Sequence, residues 1–203
     1  MEIPYPLERP HRFSPALHEK FEIYEWRNAT AVMEGDHPSE FTDLKDVLEK
    51  FVLTKSAILT AGGGKSPIAL GVNGSFSRKG WSERSFDTKI VVDGNVRATP
   101  THKVDYFKNG VAIEMEWNNK DPFYDRDLNN FRLLHDLRVI DVGVIITRCT
   151  ELQQLFNELG KGASYGASTT HMNKLIPRLE GRGAAGCPVI AIGIRRKAYD
   201  ENK

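Results

Sequence analysis

The 203-residue sequence is short of the features that announce a class on sight. It has only two cysteines, Cys149 and Cys187, far apart, and its six histidines follow no metal-binding spacing. A single disulfide stays open, but two reduced thiols are the expectation for a cytoplasmic chain. No apolar run approaches the ~20 residues that span a bilayer. Met1–Pro10 is polar, acidic and proline-rich, unlike a signal peptide. Charge of one sign is also lacking. The formal net charge is +1, which neither supports nor excludes a nucleic-acid partner, because basic residues can gather on one face. Internal repeats and low-complexity tracts are absent.

What is present is an average globular composition, 40% apolar and 27% charged, enough for one domain with a sizeable core. Phe41, Leu44, Val47, Leu48, Phe51 and Val52 fall at helical spacing and predict a helix over 39–53, capped by Ser39. Residues 57–75 hold several glycines and read as a loop with short extended pieces, and 87–100 as a polar stretch with a short Ile90–Val92 run. Strands are predicted at 103–107, 111–117, 139–147 and 189–194. Helices are predicted at 124–138, 150–159 and 171–180, with a Gly/Ser/Thr loop over 160–170. The alternation predicts an α/β fold, a mixed central sheet flanked by helices. One domain over 1–203 is expected, with a helical N-terminal part to about 60 and a core over about 80–195.

The strongest local signal is Asn109-Gly110 between two alternating runs. Both residues tolerate the positive φ of a tight hairpin turn. With them as turn residues, Tyr106 faces Ile113, Asp105 faces Glu114, and Lys103 faces Glu116. Opposed Cβ atoms lie about 5 Å apart, so two carboxylates there repel. A divalent cation between Asp105 and Glu114 removes the penalty. Glu116, two residues on, shares Glu114's face. Carboxylates, with the Met115 backbone carbonyl as a further oxygen, suit Mg²⁺ better than zinc. Glu116 would orient or deprotonate a water. The plainer alternative is a solvent-facing strand whose acids pair with Lys103 and Lys108.

Asp105, eight residues, Glu114, one residue, then Glu116 resembles the catalytic motif of the PD-(D/E)xK endonucleases, in the form with Glu in place of lysine as in BamHI. "VDYFKNGVAIEMEW" at 104–117, "IDVGVIIT" at 140–147, "GASY" at 162–165 and "EGRGAAGCPVIAIGI" at 180–194 resemble the BglII/BstYI group of type II restriction endonucleases. The resemblance covers roughly the C-terminal half. It implies a restriction-endonuclease-like fold, Mg²⁺ (one or two ions per site), and a homodimer that cuts double-stranded DNA at a short palindrome. It also implies 5′ overhangs, a GATC-centred site, and a cognate DNA methyltransferase in the same system. By position, Asp105 and Glu114 are metal ligands and Glu116 replaces the usual lysine. An extra acid from upstream is sometimes used, for which Glu83 is the candidate and Asp87 the rival. The family's DNA-reading loops fall on Asn118, Asn119, Ser164, Tyr165, Ser168, Thr169 and Thr170. Lys120, Arg126, Lys161, Lys174, Arg178 and Arg182 are candidate phosphate contacts. Ordinary turn chemistry and solvated surface are the alternatives for these. Helix 124–138 is the implied dimer element, with core packing as the alternative.

Two rivals stay open: a repair or junction nuclease of the same superfamily, and a DNA-binding module without catalysis. Ala61-Gly62-Gly63-Gly64-Lys65-Ser66 resembles the end of a phosphate-binding loop, but Leu59 stands where that motif needs glycine. His102, beside the hairpin, is a candidate proton relay or a turn residue.

Overall fold

The computed structural model describes residues 12–60, 66–99, 101–166 and 168–202. In chain order the elements are α1 (Pro15–Lys20), β1 (Phe21–Trp26), α2 (Ala29–Asp36), α3 (Pro38–Lys50), β2 (Leu53–Thr54), α4 (Lys55–Leu59), α5 (Pro67–Ser77), β3 (Ser82–Arg84), β4 (Thr88–Val92) and β5 (Asn95–Thr99). They continue with β6 (Val104–Lys108), β7 (Val111–Met115), α6 (Phe123–Asp136), β8 (Val142–Arg148), α7 (Leu152–Glu158), α8 (Met172–Glu180), β9 (Val189–Ile194) and β10 (Tyr199–Asp200).

Six strands form one mixed sheet in the order β1-β9-β8-β7-β6-β3. β7, β8 and β9 run parallel, and β1, β6 and β3 are antiparallel to their neighbours. The two faces bury different sets of side chains. Odd residues of β7 (Val111, Ile113, Met115) join a core with Leu44, Val72, Phe76 and Phe156 from α3, α5 and α7. Even residues face α6 and α8, where Ala112 packs with Leu128, Phe131, Leu175 and Leu179. The expected α/β architecture, a mixed sheet between helical layers, is therefore found. α6 approaches β8 closely because Gly143 has no side chain. A Cβ there would lie 2.3 Å from the Phe131 ring.

Several local expectations are corrected. The helix predicted at 39–53 runs Pro38–Lys50, with His37 rather than Ser39 at its N-cap and Pro38 at its first turn. Phe51 is already extended, and Leu53 pairs in β2 with Tyr199. The described residues of 57–75 are largely helical, in α4 and α5. Ser66 Oγ accepts from the Ala69 amide at 3.1 Å, Pro67 opens α5, and Ile68, Val72 and Phe76 bury one stripe. Gly71 and Gly74 cost about 1 kcal/mol each against alanine, and burial of that stripe outweighs them. The phosphate-loop-like residues 61–65 lie outside the described residues. Residues 88–99 form a second hairpin, with Asp93 and Gly94 both at positive φ. The N-terminal part is not wholly helical, since β1 is an edge strand of the central sheet. Cys149 and Cys187 are free and buried. Among the described residues, no helix is long and apolar enough to cross a membrane.

Candidate active site

The hairpin pairs as its turn dictates: Lys108 with Val111, Phe107 with Ala112, Tyr106 with Ile113. Asn109 and Gly110 have φ of 43° and 82°. Glu40 of α3 accepts from Asn109 Nδ2 at 2.8 Å, and Asp43 from Lys108 Nζ at 2.7 Å, which clamps the turn to that helix. Regular pairing stops beyond Tyr106, where β6 is irregular opposite β3. Carboxylates replace the ladder there. The Asp105 amide donates to Glu114 Oε2 at 3.2 Å, and the Met115 amide donates to Asp105 Oδ2 at 3.1 Å. An amide and carbonyl of one strand residue point to the same side. The Met115 carbonyl therefore points toward Asp105.

Glu114 and Glu116 do not face solvent; they are 1% and 2% exposed. Both lie beneath α6, which contributes Asp127, also buried, and Arg126. Glu116 accepts from Arg126 Nη2 at 3.3 Å and from Asn119 Nδ2 at 2.8 Å, while Asp127 Oδ1 accepts from Arg126 Nη2 at 2.8 Å. Lys103 turns away to Glu83, at 2.6 Å, so Lys103 does not neutralise Glu116. Glu83 sits exposed on β3; Asp127, not Glu83, meets Glu114. Asp87 is exposed as well.

These acids are held protonation-ready by their surroundings. Burial, then the charges of Asp127 and Asp105, drive Glu114 well above the usual carboxylate range. Burial also raises Glu116. Burial and Glu116 push Asp127 up to about 8. Glu114 Oε1 and Asp127 Oδ2 are buried with no donor to bond. Arg126 contacts both Glu116 and Asp127, and the hydrogen bond between these two carboxyl groups requires that one of them carry a proton. Buried, unpartnered carboxylate oxygens fit a bound hard cation. Metal-free protein is then expected to lose stability as pH rises. An acid with a raised folded pKa holds a proton that the unfolded chain has released. Its stabilisation is complete below the unfolded value near ~4 and declines up to about 8 for Asp127. Thermal melts in chelator from pH 5.5 to 8.5 check this; a melting point that climbs steadily across the range would contradict it.

The chain matches the restriction endonuclease BglII/BglIII family over residues 21–194. It belongs to that family. The protein is thus a type II restriction endonuclease, a site-specific deoxyribonuclease that acts on DNA. No curated protein matches the chain.

A cleft of about 610 Å³ opens at Asp105 in this endonuclease, walled by Met115, Trp117, Asn118, Asn119, Lys161 and Ser164 on one side and by Pro67, Ala69 and Leu70 of α5 on the other. Segment 118–121 is tied to 168–170: Lys120 bridges Thr169, the Thr170 amide donates to the Asn119 carbonyl, and the Asp121 amide donates to the Ser168 carbonyl. Of the residues expected to read DNA, Asn118, Asn119, Ser164 and Tyr165 line the cleft, and the tied segments beside it carry Lys120 and Ser168, which are exposed, as is Ser164. Two of them are otherwise engaged. Thr170 is fully buried and its hydroxyl donates to the Glu116 carbonyl at 3.2 Å. Tyr165 is buried, stacked on Phe156 with its hydroxyl toward Trp117 Nε1. Both shape the loop from inside. Arg182 is exposed in the turn after α8 and does not line the cleft. Lys174 pairs with Asp121 and Arg178 with Asp125, which binds α8 to the start of α6.

The acid that sequence spacing missed is Asp127. Its signal lay in the amphipathic pattern of α6. Tyr124, Leu128, Phe131 and Leu134 form the buried stripe, and Asp127 and Asn130 occupy stripe positions where apolar residues belong.

Proposed function

We propose that this endonuclease hydrolyses phosphodiester bonds in double-stranded DNA at a short palindrome, with Mg²⁺, leaving 5′-phosphate ends and 5′ overhangs. The observation that carries the reading is the reciprocal Asp105–Glu114 arrangement, two carboxylates each accepting an amide from the opposite strand, with Asp105 opening on the cleft. Asp105, Glu114 and the Met115 carbonyl would hold the cation. Bound Mg²⁺ supplies Lewis acidity at the phosphate and lowers the pKa of water. Glu116 orients the attacking water and accepts its proton, a task favoured by its raised pKa. Asn119 and Arg126 fix the Glu116 carboxylate on both oxygens. A carboxylate where most of the superfamily has lysine supplies no positive charge, so among the described residues Arg126, in contact with Glu116, is the cation at hand.

Two copies are needed to cut both strands of a palindrome symmetrically. The Leu/Phe stripe of α6 is spent on the chain's own core, so a homodimer would use other surfaces; Phe123 and Leu137, at the ends of α6, are exposed. A cognate DNA methyltransferase would protect host sites without direct contact. Digestion of plasmid DNA with Mg²⁺ is expected to give discrete fragments, with one base sequence at every sequenced end. A smear, or cutting only at branched substrates, would replace this reading by a structure-selective nuclease. Binding without cutting in Mg²⁺ or Mn²⁺ would leave only a DNA-binding module.

A further inference from the structure

The active-site acids outnumber what one divalent ion offsets. Asp105, Glu114, Glu116 and Asp127 influence one another, and among the described residues the Arg126 guanidinium pairs only with Glu116 and Asp127 of the four. The surplus lies on the α6 side. Glu114 gives Oε2 to the Asp105 amide, yet its Oε1 has no hydrogen-bond partner in a side chain only 1% exposed. Asp127, fully buried, leaves Oδ2 without a partner. One ligand atom each from His102, Glu114 and Asp127 lies within 4.8 Å of the others. His102 is anchored for this. Its carbonyl accepts from Asn130 Nδ2 at 3.1 Å. Asn130 is three residues beyond Asp127, on the same helix face. One face of α6 therefore fixes both a carboxylate and the segment carrying the imidazole.

We propose that His102, Glu114 and Asp127 form a second metal position, sharing Glu114 with the Asp105–Glu114–Met115 position, and that its imidazole makes it a site for Mn²⁺ or a similar transition metal rather than Mg²⁺. The inference rests on the metal-dependent reading above. Glu114 can serve two ions because its oxygens are differently engaged, Oε2 toward Asp105 and Oε1 free on the far side. Mg²⁺ prefers oxygen donors and holds its water tightly, whereas transition metals accept an imidazole nitrogen readily. A His/Glu/Asp set follows that second preference.

The test uses the full chain without DNA and Mn²⁺ as the probe. Binding equivalents are read by Mn²⁺ titration, and nitrogen ligation by electron spin-echo modulation. Wild-type protein is expected to bind more than one equivalent, one of them with nitrogen modulation. His102→Gln should lose one equivalent and all the modulation. Asp105→Asn should lose an equivalent and keep the modulation. Added Mg²⁺ should displace only the ion without nitrogen coupling. Bound Mn²⁺ lacking nitrogen modulation in wild-type protein, or modulation that survives His102→Gln, would overturn the second position and leave the Asp105 position standing. Wild-type protein that binds neither Mn²⁺ nor Mg²⁺ would overturn both. The wild-type measurement alone decides the question should a variant fail to fold.

Discussion

Glu114→Gln is expected to give a protein that is more stable without metal and unable to cut DNA. Glu114 is buried at 1% exposure and touches the field of three other acids. An amide of the same shape removes that repulsion. Its oxygen can still accept from the Asp105 amide, and its nitrogen becomes a donor to offer Asp127 Oδ2 or His102. Relief of buried like-charge repulsion is worth about 1–3 kcal/mol, a rise of roughly 2–4 °C per kcal/mol for a chain of this size. Cleavage moves the other way. The glutamine cannot supply a charged ligand, and loss of a group of this kind costs on the order of a thousandfold or more in rate. DNA binding in Ca²⁺ or chelator should stay near wild type, because Glu114 does not line the cleft. Three measurements suffice: a melting curve in chelator, a gel-shift titration and single-turnover cleavage. A variant that cuts at even a tenth of the wild-type rate would remove Glu114 from the metal site. A variant that melts well below wild type would contradict the account of repulsion.

The hairpin was legible because its determinants are local. Asn109-Gly110 sets the turn, the turn sets the register, and the register puts Asp105 beside Glu114 with no help from the rest of the chain. The structure changed how they meet. Regular pairing ends one step early, and each carboxylate accepts an amide from the opposite strand. α5 was not legible from glycine content, because the decision there is made by Ile68, Val72 and Phe76 packing into a core assembled from distant residues. The second hairpin carried a readable Asp93-Gly94 turn, weaker in context because Val91, Val92 and Val96 stay exposed and give no one-sided alternation. Asp127 belongs to a third kind. It is far from Glu114 along the chain and on a different element, and only the break in an amphipathic stripe marks it. Glu83 lies upstream of the motif in sequence; in space it pairs with Lys103, and that pair lies exposed.

The largest expected loss of stability, with a consequence for DNA selection, comes from Phe156→Ala. Phe156 of α7 is fully buried. Tyr165 stacks on it with centroids 3.9 Å apart, and Trp117 meets it edge-on at 6.1 Å. The Arg148 guanidinium lies over the same ring at 5.4 Å and donates to the Tyr165 carbonyl and to Thr169 Oγ1. This aromatic floor therefore joins Trp117, the residue after Glu116, to the loop that carries Ser164 and Thr169. Deleting the ring leaves a cavity in a packed core, which costs about 3–5 kcal/mol. It also exposes a weakness above it. Arg148 is buried with Nε and Nη1 unpartnered, and the ring face adds to the hydrogen bonds that Nη2 makes. With the ring gone, the guanidinium and the loop both shift. A displacement of the order of 1 Å at a reacting or reading group can cost a hundredfold. Urea unfolding should register the stability loss, and cleavage of the preferred site against single-base variants should register a narrowed preference. The carboxylates rest on the β6–β7 hairpin and α6, so metal binding should persist at near wild-type affinity. Phe156→Leu, which refills much of the space, should recover most of the stability but less of the discrimination, since Tyr165 stacks on a flat ring and not on a branched chain. Equal recovery of both would mean that the loop needs only volume beneath it.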